Sequence, residues 1–230
     1  MEAREPALNT RRYIKIRNGK HPLLKSESTV PLNIEFGGDT KGVIITGPNT
    51  GGKTVALKTI GLLSVMACCG LHIPCEDADL AMNADVFCDI GDGQSIAENL
   101  STFSSHIKNI IRILEKADEE SLIVLDELGS GTDPAEGMGI AVAVLEELRR
   151  KGCLFVVTTH YPEVKEYGEW AEGAINARMA FAKESLKPLY RMELGEAGES
   201  CAFYIARRMG RSADTMQMTR KGDSGNAGQE

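Results

Sequence analysis

Two hydrophobic patterns follow one another along most of the chain, and each predicts a different kind of element. Unbroken apolar runs, typical of strands buried in a parallel sheet, lie at 42–46, 122–125 and 153–158. The segments between and after them predict helices at 53–69, 102–117, 134–150 and 162–170. Because strands and helices alternate, we predict an α/β domain with a mostly parallel sheet and helices on its faces.

The chain opens with a different pattern. Residues 13–17 alternate polar and apolar side chains and stop at Asn18-Gly19, which predicts a strand followed by a turn. A second short strand is predicted at 33–36, so an antiparallel β part precedes the parallel sheet. Further strands are predicted at 84–90 and, as a closing hairpin, at 174–181 and 188–193.

These patterns predict one ordered domain over residues 13–210. Residues 1–12 are polar and poorly patterned, and we expect them to be disordered. After a predicted helix at 202–209, residues 211–230 carry mostly Ser, Gly, Asp and Lys in place of apolar side chains. We therefore expect a disordered polar tail at that end.

Composition excludes several classes of protein. Hydrophobic residues make up 42% and charged residues 26%, as in globular domains, and no apolar stretch is long enough to cross a bilayer. We therefore expect a cytoplasmic protein. The net charge of -7 gives no overall electrostatic footprint for nucleic acid, and six cysteines without a CxxC pair or zinc-ligand spacing indicate reduced thiols.

A glycine-rich segment between the strand at 42–46 and the following helix carries the first candidate chemistry. It fits the phosphate-loop pattern and consists of Gly47, Pro48, Asn49, Thr50, Gly51, Gly52, Lys53 and Thr54. Glycines let backbone N–H groups converge on phosphate oxygens at a helix N-terminus, where a side chain would block the approach. The pattern predicts ATP binding, with Lys53 on the β and γ phosphates and the Thr54 hydroxyl on Mg²⁺.

Two adjacent acids supply the second half of such a site. Asp126 and Glu127 follow the apolar strand at 122–125, and Asp126 is predicted to hold the Mg²⁺. Glu127 is the candidate general base that polarises an attacking water, which favours hydrolysis over transfer to another acceptor. The alternative is a solvated turn, which is common for two acids after a strand but less expected beside a phosphate loop.

His160 closes the strand at 153–159, where a third strand end would face the γ phosphate. A lone histidine at a strand end is usually a satisfied polar group. Together with the other two motifs, His160 is interpreted as a γ-phosphate sensor. There is no Asn-Lys-x-Asp motif for guanine and no obvious arginine-bearing segment of a small-molecule kinase.

Four motifs in order resemble the ATPase domain of the MutS family. They are GPNTGGKT at 47–54, LSTFSSH at 100–106, DELGSGTDP at 126–134 and TTHYPE at 158–163. The resemblance covers about residues 13–209 and is greatest to the bacterial MutS-II branch, whose members resist recombination or rescue collided ribosomes rather than repair mismatches.

The resemblance implies an ABC-class ATPase fold in which two domains face each other and enclose two nucleotides. Asn49 would lie against the γ phosphate, and Ser101 with Thr102 would form a signature segment that completes the partner's site in trans. Thr132 and Asp133 would form the loop that joins the two sites. From the residues alone, Ser101-Thr102 before an amphipathic helix predicts a helix cap, and both roles are compatible. The adenine would stack near Arg191.

We therefore interpret the chain as the ATP-hydrolysing, homodimerising domain of a MutS-type DNA-processing protein. The resemblance implies mismatched or branched DNA, or a ribosome, as partner of the parent protein. Such partners would be reached through DNA-clamp domains expected before Tyr13 and a nuclease tail, neither of which this chain contains. The alternative is a nucleotide-gated binding module with negligible turnover. The other ABC branches are disfavoured because their Ser-Gly-Gly-Gln type signature is not present.

Overall fold

A computed structural model describes residues 3–25, 29–47, 51–91, 102–182 and 187–198. The strands in these ranges are β1 (Ala7–Asn9), β2 (Tyr13–Gly19), β3 (Leu32–Gly37), β4 (Gly42–Thr46), β5 (Asp77–Ala81), β6 (Asp85–Asp89), β7 (Ser121–Leu125), β8 (Leu154–Thr158), β9 (Ala174–Ala182) and β10 (Lys187–Leu194). The helices are α1 (Lys53–Cys68), α2 (Thr102–Lys116), α3 (Pro134–Lys151) and α4 (Pro162–Trp170).

A six-stranded sheet forms the centre of the domain, in the order β10-β9-β4-β8-β7-β6. Every neighbouring pair in it is parallel except the hairpin of β9 and β10 at one edge. A second sheet, in the order β1-β5-β2-β3, contains antiparallel pairs of β2 with both β3 and β5. The predicted α/β class, with a mostly parallel sheet and an N-terminal antiparallel part, is confirmed.

Successive residues of the central strands enter two different cores. In β4, Val43 and Ile45 belong to a core shared with α1 and the smaller sheet, whereas Ile44 belongs to a core shared with α2, α3 and α4. Leu122 and Ile123 of β7 divide in the same way. Both faces of the central sheet are therefore covered, which explains why these strands are apolar except at their ends.

The structure corrects the expectation for the N-terminus. Strand β1 pairs in parallel with β5, and Arg4 exchanges backbone hydrogen bonds with Ile73. The side chain of Asn9 donates to Asp79 Oδ1 at 2.7 Å. The prediction of disorder over 1–12 is thus wrong for the described residues from 3 onward, because the open edge of β5 gives this polar segment hydrogen-bond partners.

Asn18 and Gly19 form a bulge where the sequence predicts a turn. Strand β2 continues to Gly19, Asn18 has a φ of 50°, and the register against β3 shifts between Ile16 and Gly19. An asparagine tolerates this left-handed conformation, so a turn-like dipeptide can lie inside a strand. The predicted helix at 202–209 and the tail at 211–230 lie outside the described residues.

The parallel strands bring three loops to one edge of the sheet. Gly47 follows β4, Asp126 follows β7, and Thr159 follows β8, which lies between those two strands. Ligands of open α/β sheets bind at the carboxyl ends of the strands, so the candidate site is expected at this edge. Among the described residues, no helix has the length and apolar character needed to span a membrane.

Candidate active site

The described part of the phosphate loop has glycines at both ends in a conformation that other residues rarely adopt. Gly47 has a φ of 119°, and Gly52, the N-cap of α1, has a φ of 90°. Helix α1 then begins at Lys53 without a side-chain cap, and the first backbone N–H groups of a helix, which lack intrahelical partners, suit an anion. Pro48, Asn49 and Thr50 lie outside the described residues, whereas Gly51 is buried.

Lys53 is a buried cation held against its own loop. Lys53 is only 2% exposed, and its Nζ donates to the Gly47 carbonyl at 2.6 Å. Burial lowers the pKa of the Lys53 ammonium, while the nearby Glu127 and Asp126 carboxylates act in the opposite direction. A buried ammonium is costly without a full set of anionic partners, so this site favours an incoming phosphate.

One cleft brings together the predicted Mg²⁺ ligands and the predicted base. Thr54, Asp126 and Glu127 line a cavity of about 520 Å³. Its other walls come from α1, the end of β6, α2 and the loop after β7, through Lys58, Gly91, Phe103, His106, Ser130 and Gly131. Thr54 and Asp126 are far apart in the sequence, and the order of the strands in the sheet brings them to the same cleft.

The chemistry of this donor set fits Mg²⁺ bound together with phosphates. In the described ranges, no group of three or more His, Cys, Asp or Glu side chains could hold a metal ion on its own. Mg²⁺ commonly takes only one or two protein oxygens and completes its shell with substrate phosphates and water. Thr54 and Asp126 are the residues that would supply those oxygens.

Thr158, at the end of β8, organises both acids. Its Oγ1 donates to Asp126 Oδ1 at 2.5 Å and accepts from the backbone N–H of Glu127 at 2.8 Å. Thr158 is fully buried. Sequence reasoning did not assign it a role, although its position at the end of an apolar strand beside Thr159 and His160 was a usable signal.

Glu127 has a strained backbone. Its φ of 49° lies in the left-handed region, which costs a residue other than glycine about 1–2 kcal/mol. The hydrogen bond from its N–H to Thr158 and a bond from the Ser130 N–H to its carbonyl hold this conformation. Such strain is often found at functional sites, where it directs a side chain away from the strand axis.

Replacement of Thr158 by Val should loosen both acids. The change removes the donor to Asp126 and leaves the Glu127 N–H without its acceptor, at a cost of about 1–3 kcal/mol. We expect the Tm of the chain to fall by roughly 2–10 °C. Differential scanning calorimetry checks this, with Thr158→Ser as the control that keeps the hydroxyl. Equal losses in both variants would contradict the hydroxyl's role.

His160 lies at the predicted strand end but outside the cleft. It is exposed, and its ring centroid is 4.4 Å from that of Tyr161. It is not one of the residues that line the cavity around Asp126 and Glu127. Its role as a γ-phosphate sensor stays a prediction. Ser101, the candidate signature residue, lies outside the described residues.

A second cavity, of about 450 Å³, adjoins the other side of the phosphate loop. Its lining is largely apolar and includes Leu23, Val30, Val55, Met179 and Tyr190. Tyr190 lies over the loop, because a Cβ placed on Gly52 would be 3.0 Å from Tyr190 Cδ1. A bulge in β10, where Tyr190 has a φ of 53°, sets this orientation.

Arg191, which the resemblance places near the adenine, is engaged on the hairpin. Its Nη2 donates to Glu193 Oε1 at 2.6 Å. It is not among the residues that line the apolar cavity, whereas its neighbour Tyr190 is. The bulge in β10 alters which side chains of the strand face the loop, so Tyr190 and not Arg191 lines the cavity. A simple alternation of side chains along the strand does not predict this.

Comparison with known proteins places this geometry in a family. The family model described as MutS domain V matches residues 43–223, which contain the phosphate loop and the acids after β7. The chain belongs to the MutS family. The resemblance found in the four motifs is thereby confirmed, and so is the P-loop type of fold.

The relatives with high identity carry the name Endonuclease MutS2. The chain is 52% identical over 211 residues to that of Halalkalibacterium halodurans, which covers 91% of this chain and 27% of the relative. It is 47% identical over 228 residues to that of Caldanaerobacter subterraneus subsp. tengcongensis, covering 99% and 29% respectively. The chain therefore spans less than a third of the length of these relatives, and it matches the MutS2 branch.

Proposed function

We propose that the chain is the ATP-hydrolysing, dimerising domain of a MutS2-type DNA-processing protein. The observation that carries the proposal is the meeting of Thr54, Asp126 and Glu127 in one cleft next to the buried Lys53. The match to MutS domain V supports nucleotide binding by a domain of this kind. A site with a phosphate anchor, two metal-ligand candidates and a further carboxylate is suited to hydrolysis of a nucleoside triphosphate.

The proposed roles follow from the contacts of each side chain. Lys53 exchanges its bond to the Gly47 carbonyl for phosphate oxygens, with the backbone N–H groups of α1 and Gly52 beside it. Thr54 and Asp126 hold Mg²⁺, which when bound neutralises charge on the β and γ phosphates. Glu127 orients the attacking water and accepts its proton. His160 is assigned the γ-phosphate contact predicted from the sequence.

The apolar cavity beside Gly52 is the proposed site of the base. A nucleotide with its phosphates on the loop would have its sugar and base near the start of α1, where Tyr190 offers an aromatic face. Burial lowers the pKa of His21, which lines the same cavity, and so favours its neutral imidazole. A largely apolar lining with an aromatic side chain suits a flat, uncharged base.

Removal of the Tyr190 ring should weaken ATP binding without changing the chemical step. Stacking of a base on an aromatic side chain is worth about 1–3 kcal/mol, so Tyr190→Ala is expected to raise the KM for ATP about 5- to 100-fold. The value of kcat should stay within about twofold of the parent. The matched control is Arg191→Ala, which removes an exposed ion pair with Glu193. Equal KM values for both variants would contradict this assignment.

The dimeric arrangement and the polymer partner are part of the same proposal. Ser101 and Thr102 would complete the site of a second copy, so that two chains enclose two nucleotides. DNA with mismatches or branches, or a ribosome, would contact the other domains of the parent protein. The predicted bacterial cytoplasmic location stays a prediction.

Multiple turnover separates hydrolysis from simple binding. We expect the purified chain with MgATP to release many phosphates per chain, measured with a phosphate-sensing fluorophore. Release of no more than one phosphate per chain, with ATP bound, would contradict the proposed hydrolysis and favour the nucleotide-gated binding module. Omission of Mg²⁺ is the control for contaminating activities that do not need the metal.

A further inference from the structure

A histidine, an aspartate and an asparagine form a cluster between α2 and the end of β6. His106 Nδ1 lies 2.6 Å from Asp89 Oδ2, and Asn109 Nδ2 donates to Asp89 Oδ1 at 2.8 Å. Both carboxylate oxygens of Asp89 are therefore engaged by α2. The residues are shielded, with side-chain exposures of 21% for His106 and 10% for Asp89, so these bonds are better protected from water than a surface ion pair.

The backbone of Asp89 is also bonded to the residue that follows β7, the candidate Mg²⁺ ligand Asp126. Its backbone carbonyl accepts the N–H of Asp126 at 2.8 Å. One residue thus connects α2 through its side chain and the candidate Mg²⁺ ligand through its backbone. A change in the position of Asp126 would be passed to α2 through these short contacts.

A second contact anchors the start of α2 near the same loop. A Cβ placed on Gly131, in the loop after Glu127, would lie 3.3 Å from the Cβ of Phe103. Phe103 and His106 also line the cleft that holds Asp126 and Glu127. The first turns of α2 are therefore fixed at two points to the segment that carries the candidate metal ligand and base.

We propose that His106 is a positioning residue that fixes the start of α2, through Asp89, to the strand end carrying Asp126, and so serves the nucleotide site of the partner chain. The inference rests on the proposed function, in which the start of α2 completes the site of a second copy. One ring nitrogen of His106 contacts Asp89, and both carboxylate oxygens of Asp89 are bonded to side chains of α2. This arrangement holds a helix in place and does not by itself offer Asp89 to the substrate.

The first test compares two substitutions of His106. His106→Ala removes the bond to Asp89, whereas His106→Asn keeps an amide N–H near the position of Nδ1. We expect His106→Ala to lower kcat about 10- to 100-fold, as misplacement of distant groups can, with KM for ATP within about threefold of the parent. His106→Asn should recover most of kcat. His72→Ala, at an exposed position, is the matched control.

Mixed dimers test whether the effect crosses the interface. His106→Ala chains are combined with a tenfold excess of Glu127→Gln chains, and phosphate release is measured per His106→Ala chain. In such a dimer, the site with Glu127 belongs to the His106→Ala chain and is completed by an intact α2 from the partner. We expect the same rate as for unmodified chains mixed with Glu127→Gln in the same ratio.

The outcomes are distinct. If the mixed dimers are as slow as His106→Ala alone, His106 acts in its own site and the inference is wrong. Unchanged kcat in His106→Ala, with turnover in the unmodified chain, also overturns the inference while leaving the proposed function intact. Absence of turnover in the unmodified chain overturns the proposed function and the inference with it.

Discussion

Glu127→Gln is expected to lower the rate of ATP hydrolysis roughly 10²- to 10⁴-fold, the contribution typical of a general base. The substitution preserves the shape of the side chain and removes its negative charge and its ability to accept a proton. The backbone bonds from Glu127 to Thr158 and from Ser130 to Glu127 do not involve the carboxylate, so the fold should be unchanged. ATP should then remain bound and stabilise the dimer, measured by nucleotide retention on gel filtration.

A matched control for this substitution lies at the other end of the same strand. Glu119 is exposed and precedes β7, whereas Glu127 follows it. Glu119→Gln removes the same charge and should leave hydrolysis within about twofold of the parent, as expected for a surface position. Similar rates in the two variants would contradict the assignment of Glu127 as the base.

Lys53→Met is expected to abolish measurable hydrolysis and to weaken MgATP binding about 10- to 100-fold, the factor for a charged hydrogen bond of 1.5–3 kcal/mol. Methionine fills much of the same volume without a charge. Burial lowers the pKa of Lys53, which means that its charged form opposes folding of the nucleotide-free chain. The Tm without nucleotide should therefore not fall, while the increase in Tm caused by ATP is largely lost.

The control for Lys53→Met is the same change at Lys116, an exposed residue in the last turn of α2. Lys116→Met should keep both hydrolysis and the increase in Tm with ATP. Thermal scans of each variant, with and without MgATP, check both statements. A large fall in the Tm of nucleotide-free Lys53→Met would show that the ammonium supports the fold, contrary to this account.

The parts of the fold that could be predicted are those with a strong local pattern. The unbroken apolar runs of β4, β7 and β8 imply burial on both faces, and the structure has them at the centre of the sheet. The glycine-rich motif predicted the start of α1, because few other sequences provide left-handed residues directly before a helix. These signals depend on a few adjacent residues and are independent of distant contacts.

The remainder depends on contacts between distant segments. Strand β1 forms because β5 offers it an edge 70 residues further along, as in the bond from Asn9 to Asp79. The pairing of Thr158 with Asp126 follows from the neighbouring positions of β7 and β8. The inward position of Tyr190 depends on a bulge in β10. No local pattern specifies these features, because each depends on strand order or on a register shift.

The most direct test is the steady-state rate of MgATP hydrolysis per chain, measured over a hundredfold range of chain concentration with Glu127→Gln as control. We predict that the rate per chain rises with concentration to a plateau, because a complete site forms only between two copies. We predict no such rate for Glu127→Gln. A rate per chain that is independent of concentration, or one that persists in Glu127→Gln, would contradict it.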